Sequence, residues 1–278
     1  MFDRRLRASQ RRLPASPKFF MLSCASRVAR DGGRLDRARI LRNMLAKLLS
    51  RLGLGSPRQA AGAVGLYEPY AQSHTNTLYN LLFCDDVDLF RRCAGASKSV
   101  LWSTLLAEDV DAATLSRIAE DDTEQGRARA LAYNRLRDAG QAVAAKKLLG
   151  TIVEIPLEQG LDVLAAFSDG SVRYLNQTGK ILIFEGAENP VASLAKALLA
   201  ASQPVVDRIG PWEKRRVPPP KRGTLRMTFL VSDGLYFGEG PHSELERDRM
   251  AAPVLANATK LLQRAVELGA AANKTGQP

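Results

Sequence analysis

The fold is decided by four short apolar runs between Gly150 and Phe184, in the stretch GTIVEIPLEQGLDVLAAFSDGSVRYLNQTGKILIF. β-Branched or aromatic residues occur in each run, and turn residues separate the runs, as is typical of strands in a sheet. The predicted strands are Thr151–Leu157, Val163–Phe167, Ser171–Leu175 and Lys180–Phe184. Asp169-Gly170 favours a type I′ hairpin turn, and 176–179 supply the next turn. The stretch therefore predicts an antiparallel meander.

Helix signals and a second hairpin follow this meander. Asn189-Pro190 combines a capping residue with a proline suited to the first helical turn, which predicts a helix from Pro190 with Pro204 as its kink or end. Strands over Thr224–Val231 and Leu235–Phe237 surround Asp233-Gly234. Ser243-x-x-Glu246 resembles a capping box, and the last helix is expected to start near Pro253.

The resulting order β-β-β-β-α-β-β-α resembles that of the profilin and roadblock scaffolds. This resemblance implies a central antiparallel sheet flanked by helices, in an α+β protein. Upstream, residues 66–148 carry apolar residues at helical spacing, and Asp86 is a good N-cap for a helix over Val87–Cys93. A scaffold does not specify a function.

Three regions are predicted: 1–43 as a disordered basic leader, 44–148 as a helical region and 149–278 as an antiparallel α+β domain. Nine of the eleven net positive charges lie in residues 1–43, so the remainder of the chain is nearly neutral. Leu41 to Leu52 predict an amphipathic helix, which favours core packing over contact with a membrane. Translation from Met21 or Met44 is an alternative to Met1, and a mitochondrial transit peptide is another interpretation of the leader.

The composition predicts a globular protein of one or two domains, since 45% of its 278 residues are hydrophobic and 25% are charged. The three cysteines, Cys24, Cys84 and Cys93, form no paired motif, which favours a reducing compartment. No run of 18 apolar residues occurs, so no membrane span is predicted. We expect a cytoplasmic protein.

The chain offers few residues for a catalytic or metal site, because it holds only two histidines, His74 and His242. His74 and Cys84 are residue types that can form a nucleophile pair, but ten residues of straight helix would separate them by roughly 15 Å. Cys84 is more simply a small buried hydrophobe. Asp85, Asp86 and Asp88 lack the glycine and terminal glutamate of a calcium loop, so helix capping is the stronger interpretation. No catalytic, cofactor-binding or metal-binding residue is assigned, and no cofactor is predicted.

The segment Trp212–Arg222 has an unusual composition, with five cations and three consecutive prolines. A stiff basic connector is the main interpretation, with docking to an aromatic groove or contact with phosphate as the alternatives.

The sequence favours a non-enzymatic protein-interaction or regulatory module with a protein as its partner. No oligomeric state is predicted. One alternative is an enzyme that gathers Tyr174, Asn176, Gln177 and Thr178 near one end of the sheet. The other is a basic arm, residues 1–52, that binds nucleic acid or an anionic membrane.

Overall fold

A computed structural model describes residues 66–94, 99–158 and 160–275. The predicted leader over 1–43 and the predicted helix from Leu41 to Leu52 lie outside these residues. Six strands form one antiparallel sheet: β1 Leu148–Leu157, β2 Gly160–Phe167, β3 Val172–Leu175, β4 Ile181–Phe184, β5 Thr224–Val231 and β6 Gly234–Pro241. Their order across the sheet is β4-β3-β2-β1-β5-β6, so β4 and β6 are its two edges.

Five helices precede the sheet: α1 Ser73–Leu81, α2 Val87–Ala94, α3 Val100–Leu106, α4 Ala112–Glu120 and α5 Gly126–Asp138. Helix α6, Ala192–Arg208, connects β4 to β5, and α7, His242–Leu245, and α8, Ala251–Thr275, follow β6. The predicted α+β class is confirmed. The predicted order of strands and helices after residue 148 is also confirmed, except that the short α7 was not predicted. None of the helices in the described part of the chain is long and apolar enough to cross a membrane.

The alternation of side chains along the strands divides the core into two clusters. On one face of β1, Ile152 packs in a cluster with residues of α1 to α5, such as Tyr79 and Leu131. On the opposite face, Val153 packs with residues of α6 and α8, such as Leu198 and Leu261. The sheet is therefore the middle of three layers, and we call the side of α1 to α5 the helical layer. The division of the chain at residue 148 stays a prediction.

The hairpins predicted around Asp169-Gly170 and around Asp233-Gly234 both form, but the type I′ turn predicted at Asp169-Gly170 is wrong. The N–H of Phe167 donates to the carbonyl of Ser171 at 3.0 Å, which leaves a loop of three residues. Gly170 has φ of 85°, whereas Asp169 is not among the residues with positive φ, and a type I′ turn needs two such residues. The second hairpin turns at Ser232 and Asp233, since Val231 already pairs with Gly234.

Helix starts differ from the predictions by a few residues. Helix α6 begins at Ala192 rather than Pro190, although Asn189 Oδ1 accepts from the Val191 N–H at 2.9 Å, and Pro204 lies inside the helix. The predicted capping box is wrong, because Ser243 lies inside α7, whose N-cap position is Pro241. Asp248 takes that role for α8 and accepts from the N–H of Ala251 at 2.7 Å.

Candidate functional site

Cys84 lies just beyond the end of α1 in the left-handed region, with φ of 52°. Its side chain is buried, with Sγ 3.8 and 3.7 Å from the carbonyl oxygens of Leu81 and Leu82. Burial raises the pKa of the Cys84 thiol to about 12, against a weaker opposing effect of Arg127. The thiol is therefore protonated at neutral pH, which suits a structural side chain and not a nucleophile.

The three aspartates after α1 have three different partners. Asp86 Oδ1 accepts from the N–H of Leu89 at 2.8 Å, so Asp86 caps α2 as predicted. Asp88 forms an ion pair with Arg91 at 2.8 Å on the surface of α2. Asp85 instead faces inward, where its Oδ2 lies 3.0 Å from Nε of Arg216. Among the described residues, no group of three or more His, Cys, Asp or Glu side chains is placed to hold a metal ion.

The connector, residues 209–223 between α6 and β5, is fixed against the edge strand β6. The N–H of Trp212 donates to the carbonyl of Leu235 at 2.7 Å, and its ring packs edge-on against Phe237 with centroids 5.0 Å apart. Further along, the hydroxyl of Tyr67 donates to the carbonyl of Arg216. The basic segment is thus a connector, as favoured from the sequence, but an ordered one that covers β6.

Arg216 is the centre of this arrangement, although it belongs to a segment that looks exposed from its composition. Its side chain is only 6% exposed. The guanidinium binds Asp85 at 3.0 Å and Asn80 Oδ1 at 2.9 Å, and it lies 3.9 Å from the centroid of the Phe83 ring. Arg216 therefore joins the connector to α1 and to the turn that follows α1.

Arg216 and Asp85 continue into a buried charged cluster that also contains Glu154 and Arg226 and that ends at the exposed Glu239. Glu154 is fully buried on β1, where Tyr79 donates its hydroxyl to Oε1 at 2.7 Å and Arg226 lies 3.8 Å from Oε2. Arg226 donates in turn to Glu239 Oε2 at 2.6 and 2.8 Å. Three acids and two bases therefore connect α1, β1, β5, β6 and the connector.

Burial governs the protonation of this cluster. Desolvation raises the pKa of Glu154, while the Tyr79 hydrogen bond and the charges of Arg226 and Arg216 oppose the rise. Desolvation likewise raises the pKa of Asp85, against the opposing effect of Arg216. Because these carboxyls are matched to arginines inside the core, the cluster fits a structural tie between layers better than an acid/base site open to substrate.

A further buried arginine, outside this cluster, holds the end of β4. Arg173, on β3, donates to the carbonyls of Val172 and Phe184 at 3.0 and 3.3 Å, and it forms an ion pair with Glu185. Its side chain is 3% exposed, and desolvation lowers the pKa of the guanidinium. The backbone at the end of β4 is therefore fixed from the side of β3.

The edge strand β4 consists only of apolar residues that are partly exposed. Its four residues, Ile181 to Phe184, are all large and apolar, and each is partly exposed. Ile181 packs against the helical-layer core, and Leu182 and Phe184 pack against the opposite core. Ile183 is the remaining β4 residue and belongs to neither cluster. In the part of the chain that the structure describes, β4 pairs only with β3.

The direction of the β4 backbone groups follows from its pairing with β3. The N–H of Asn176 donates to the carbonyl of Lys180 at 2.9 Å, and Tyr174 lies opposite Leu182. In an antiparallel pair, residues alternate between groups directed to the partner strand and groups directed away from it. Leu182 and Phe184 therefore bond to β3, whereas the N–H and C=O groups of Ile181 and Ile183 point outward from the sheet.

The polar residues of the predicted enzyme alternative do gather at one end of the sheet. Tyr174 donates its hydroxyl to Asp162 Oδ2 at 2.7 Å, and the N–H of Gln177 donates to Oδ1 of the same carboxylate at 2.7 Å. Asn176 Oδ1 accepts from the N–H groups of Thr178 and Lys180 at 3.0 and 2.9 Å. These contacts hold the turn between β3 and β4 together.

Comparisons with protein-family models, curated proteins and solved structures find no match for this chain.

Proposed function

We propose that this chain is a non-enzymatic protein-interaction module, and that it associates by adding an extended strand to the outer edge of β4. One observation carries the proposal: β4 directs four backbone groups away from the sheet, between four partly exposed apolar side chains. An exposed edge of this kind promotes pairing with another chain, and proteins commonly protect such edges with charge, proline or a covering segment.

Strand addition suits the chemistry of β4. The main-chain groups of Ile181 and Ile183 supply hydrogen bonds to an incoming strand, and alternate side chains supply the apolar contacts. Lys180 and Glu185 flank the strand, but no charge lies within β4 itself. Arg173 already holds the carbonyl of Phe184, so the strand is ordered before it associates. An ordered edge lowers the entropic cost of binding.

The alternative of an enzyme receives less support from the same geometry. In the buried charged cluster, Glu154, Arg216 and Arg226 are at most 6% exposed. The polar groups near Tyr174 bond to Asp162 and to the turn. The alternative of a basic arm concerns residues 1–52, which lie outside the described residues, and it stays a prediction.

The proposal is tested by photo-crosslinking from two aromatic positions, one on each edge of the sheet. Benzoylphenylalanine replaces Phe184 on β4 in one variant and Trp212 on the covered edge in the matched control. We expect adducts with a defined protein from position 184 and not from position 212. The adduct is identified by mass spectrometry, and Ile181→Lys introduced in the same chain is expected to abolish it.

Equal crosslinking from both positions would show that the two edges are equivalent and would contradict the proposal. Absence of any adduct from position 184, in extract and with the purified chain at high concentration, would also contradict it.

A further inference from the structure

We propose that the strand added to β4 is β4 of a second copy of this chain, paired antiparallel about a two-fold axis perpendicular to the sheet. This inference rests on the proposed function and names the partner. It joins two six-stranded sheets into one continuous sheet of twelve strands.

Symmetry restricts the pairing to a few registers. A two-fold axis perpendicular to the sheet leaves each side chain on its own face, so a residue pairs only with residues an even number of positions away. Ile181 therefore cannot lie opposite Phe184, and a residue at the axis lies opposite its own copy. The two registers that overlap most of β4 are centred on Leu182 and on Ile183.

Hydrogen bonding favours the register centred on Leu182. There, Ile181 of each copy lies opposite Ile183 of the other, and these are the residues whose N–H and C=O groups point outward. All four outward groups of each strand are then paired within β4. The register centred on Ile183 instead requires Glu185, a residue beyond the end of β4 whose side chain is bound to Arg173.

Charge and shape agree with antiparallel self-pairing. Lys180 precedes β4 and Glu185 follows it, so an antiparallel arrangement brings the basic end of one strand beside the acidic end of the other. A parallel arrangement would align like charges. In this register, Leu182 lies opposite Leu182 of the second copy. Helix α8 packs closely against this residue, because a Cβ added at Gly269 would lie 2.8 Å from the Leu182 side chain.

The register is tested by disulfide formation in the full-length chain with Cys24 replaced by serine. Opposite residues in a non-hydrogen-bonded antiparallel pair have Cα atoms about 4.5 Å apart, within the range of a disulfide. Leu182→Cys is therefore expected to form a covalent dimer under mild oxidation. Val100→Cys, at a residue that is 80% exposed on α3, is the control and is expected to form no disulfide between copies.

Ile183→Cys distinguishes the two registers. A faster disulfide at position 183 than at position 182 would overturn the register centred on Leu182. Failure of both cysteines to form a disulfide between copies would overturn the self-pairing.

Sedimentation equilibrium of the full-length chain provides a measurement without a covalent bond. We expect a monomer–dimer equilibrium that Ile183→Lys weakens at least tenfold, because a charge at the junction opposes pairing. Ile183→Val keeps the β-branched shape and is expected to leave the equilibrium within about twofold. A wild-type chain that stays monomeric at the highest attainable concentration would overturn the inference.

These outcomes separate the inference from the proposed function. A monomeric chain whose position 184 crosslinks to a different protein would remove the second copy as partner and leave strand addition in place. A monomeric chain without adducts at position 184 would remove both.

Discussion

The two edges of the sheet are built in opposite ways. On β6, the carbonyl of Leu235 accepts from Trp212, Glu239 binds Arg226, and Pro241 has no N–H to offer. On β4, four partly exposed apolar residues follow one another, and among the described residues this strand pairs only with β3. Within the described part of the chain, the connector, stabilised by buried charges, thus covers one edge, whereas no second strand pairs with the other. Substitutions in the connector should therefore destabilise the fold more than substitutions on the outer edge of β4.

Arg216→Ala should destabilise the protein by about 3–5 kcal/mol, because it leaves the buried carboxylate of Asp85 without its counter-ion. Urea unfolding measures the loss. Arg215→Ala is the matched control, since Arg215 is the preceding residue and is exposed, and it should change stability by less than about 0.5 kcal/mol. Similar losses in both variants would mean that the connector is not fixed through Arg216.

Trp212→Ala should cost about 1–2 kcal/mol, because it removes the edge-on contact with Phe237 and part of the cover of β6. Hydrogen exchange measures the local effect, and faster exchange is expected along β6 with no change along β4. Trp212→Phe keeps an aromatic ring and should retain much of the stability. Faster exchange on both edges would contradict a local role.

Glu154→Gln should show a smaller effect that depends on pH. The folded-state pKa of Glu154 is raised, so folding favours the protonated carboxyl. Its contribution to the free energy of unfolding is therefore fully present below the unfolded pKa of about 4.3, and it is lost as pH rises through the folded pKa. Glutamine does not ionise, so the variant should gain stability relative to the wild type as pH rises. Urea unfolding across pH measures this, with Glu158→Gln, 84% exposed, as control. A pH-independent difference would contradict the raised pKa.

Ile183→Lys should have the smallest effect on the stability of the monomer, no more than about 1 kcal/mol, because Ile183 packs in neither core cluster and the main cost is the like charge of Arg173 opposite it on β3. Thermal unfolding at a concentration below that of association measures it. A loss comparable to that of Arg216→Ala would assign Ile183 to the core and weaken the contrast between the edges.

The sequence predicts local structure well and the arrangement of the edges poorly. The alternation in 151–184, the turn residues and the capping aspartate Asp86 act within a few positions of the chain, and the structure confirms the strands and the cap. The burial of Arg216 depends on Asp85, 131 residues earlier, and no local pattern encodes that pairing. A clue was present in Asp85, a charge that directly follows the apolar residues Phe83 and Cys84.

The sequence also did not predict that β4 lies at an edge of the sheet. A continuous apolar run is typical of a strand covered on both faces in the middle of a sheet, and ILIF has that composition. Only the strand order shows that this run is an edge. The turn at Asp169-Gly170 was misassigned for a related reason, since the dipeptide fits a two-residue loop as well as the observed loop of three.

The connector also has a consequence for the order of events during synthesis. Tyr67 and Asp85 belong to the first described helical segment, yet their partner Arg216 lies 149 and 131 residues later in the chain. When α1 and Asp85 leave the ribosome, Arg216 has not yet been synthesised, so Asp85 has no counter-ion with which it can be buried. Because chains are synthesised from the N-terminus at about 5–20 residues per second, the 131 residues from Asp85 to Arg216 take about 7–26 seconds to make. We expect the helical layer to remain incompletely packed during this time, until the connector is released. A nascent chain stalled before Arg216 should therefore be cleaved by protease near α1, and one stalled after β6 should resist.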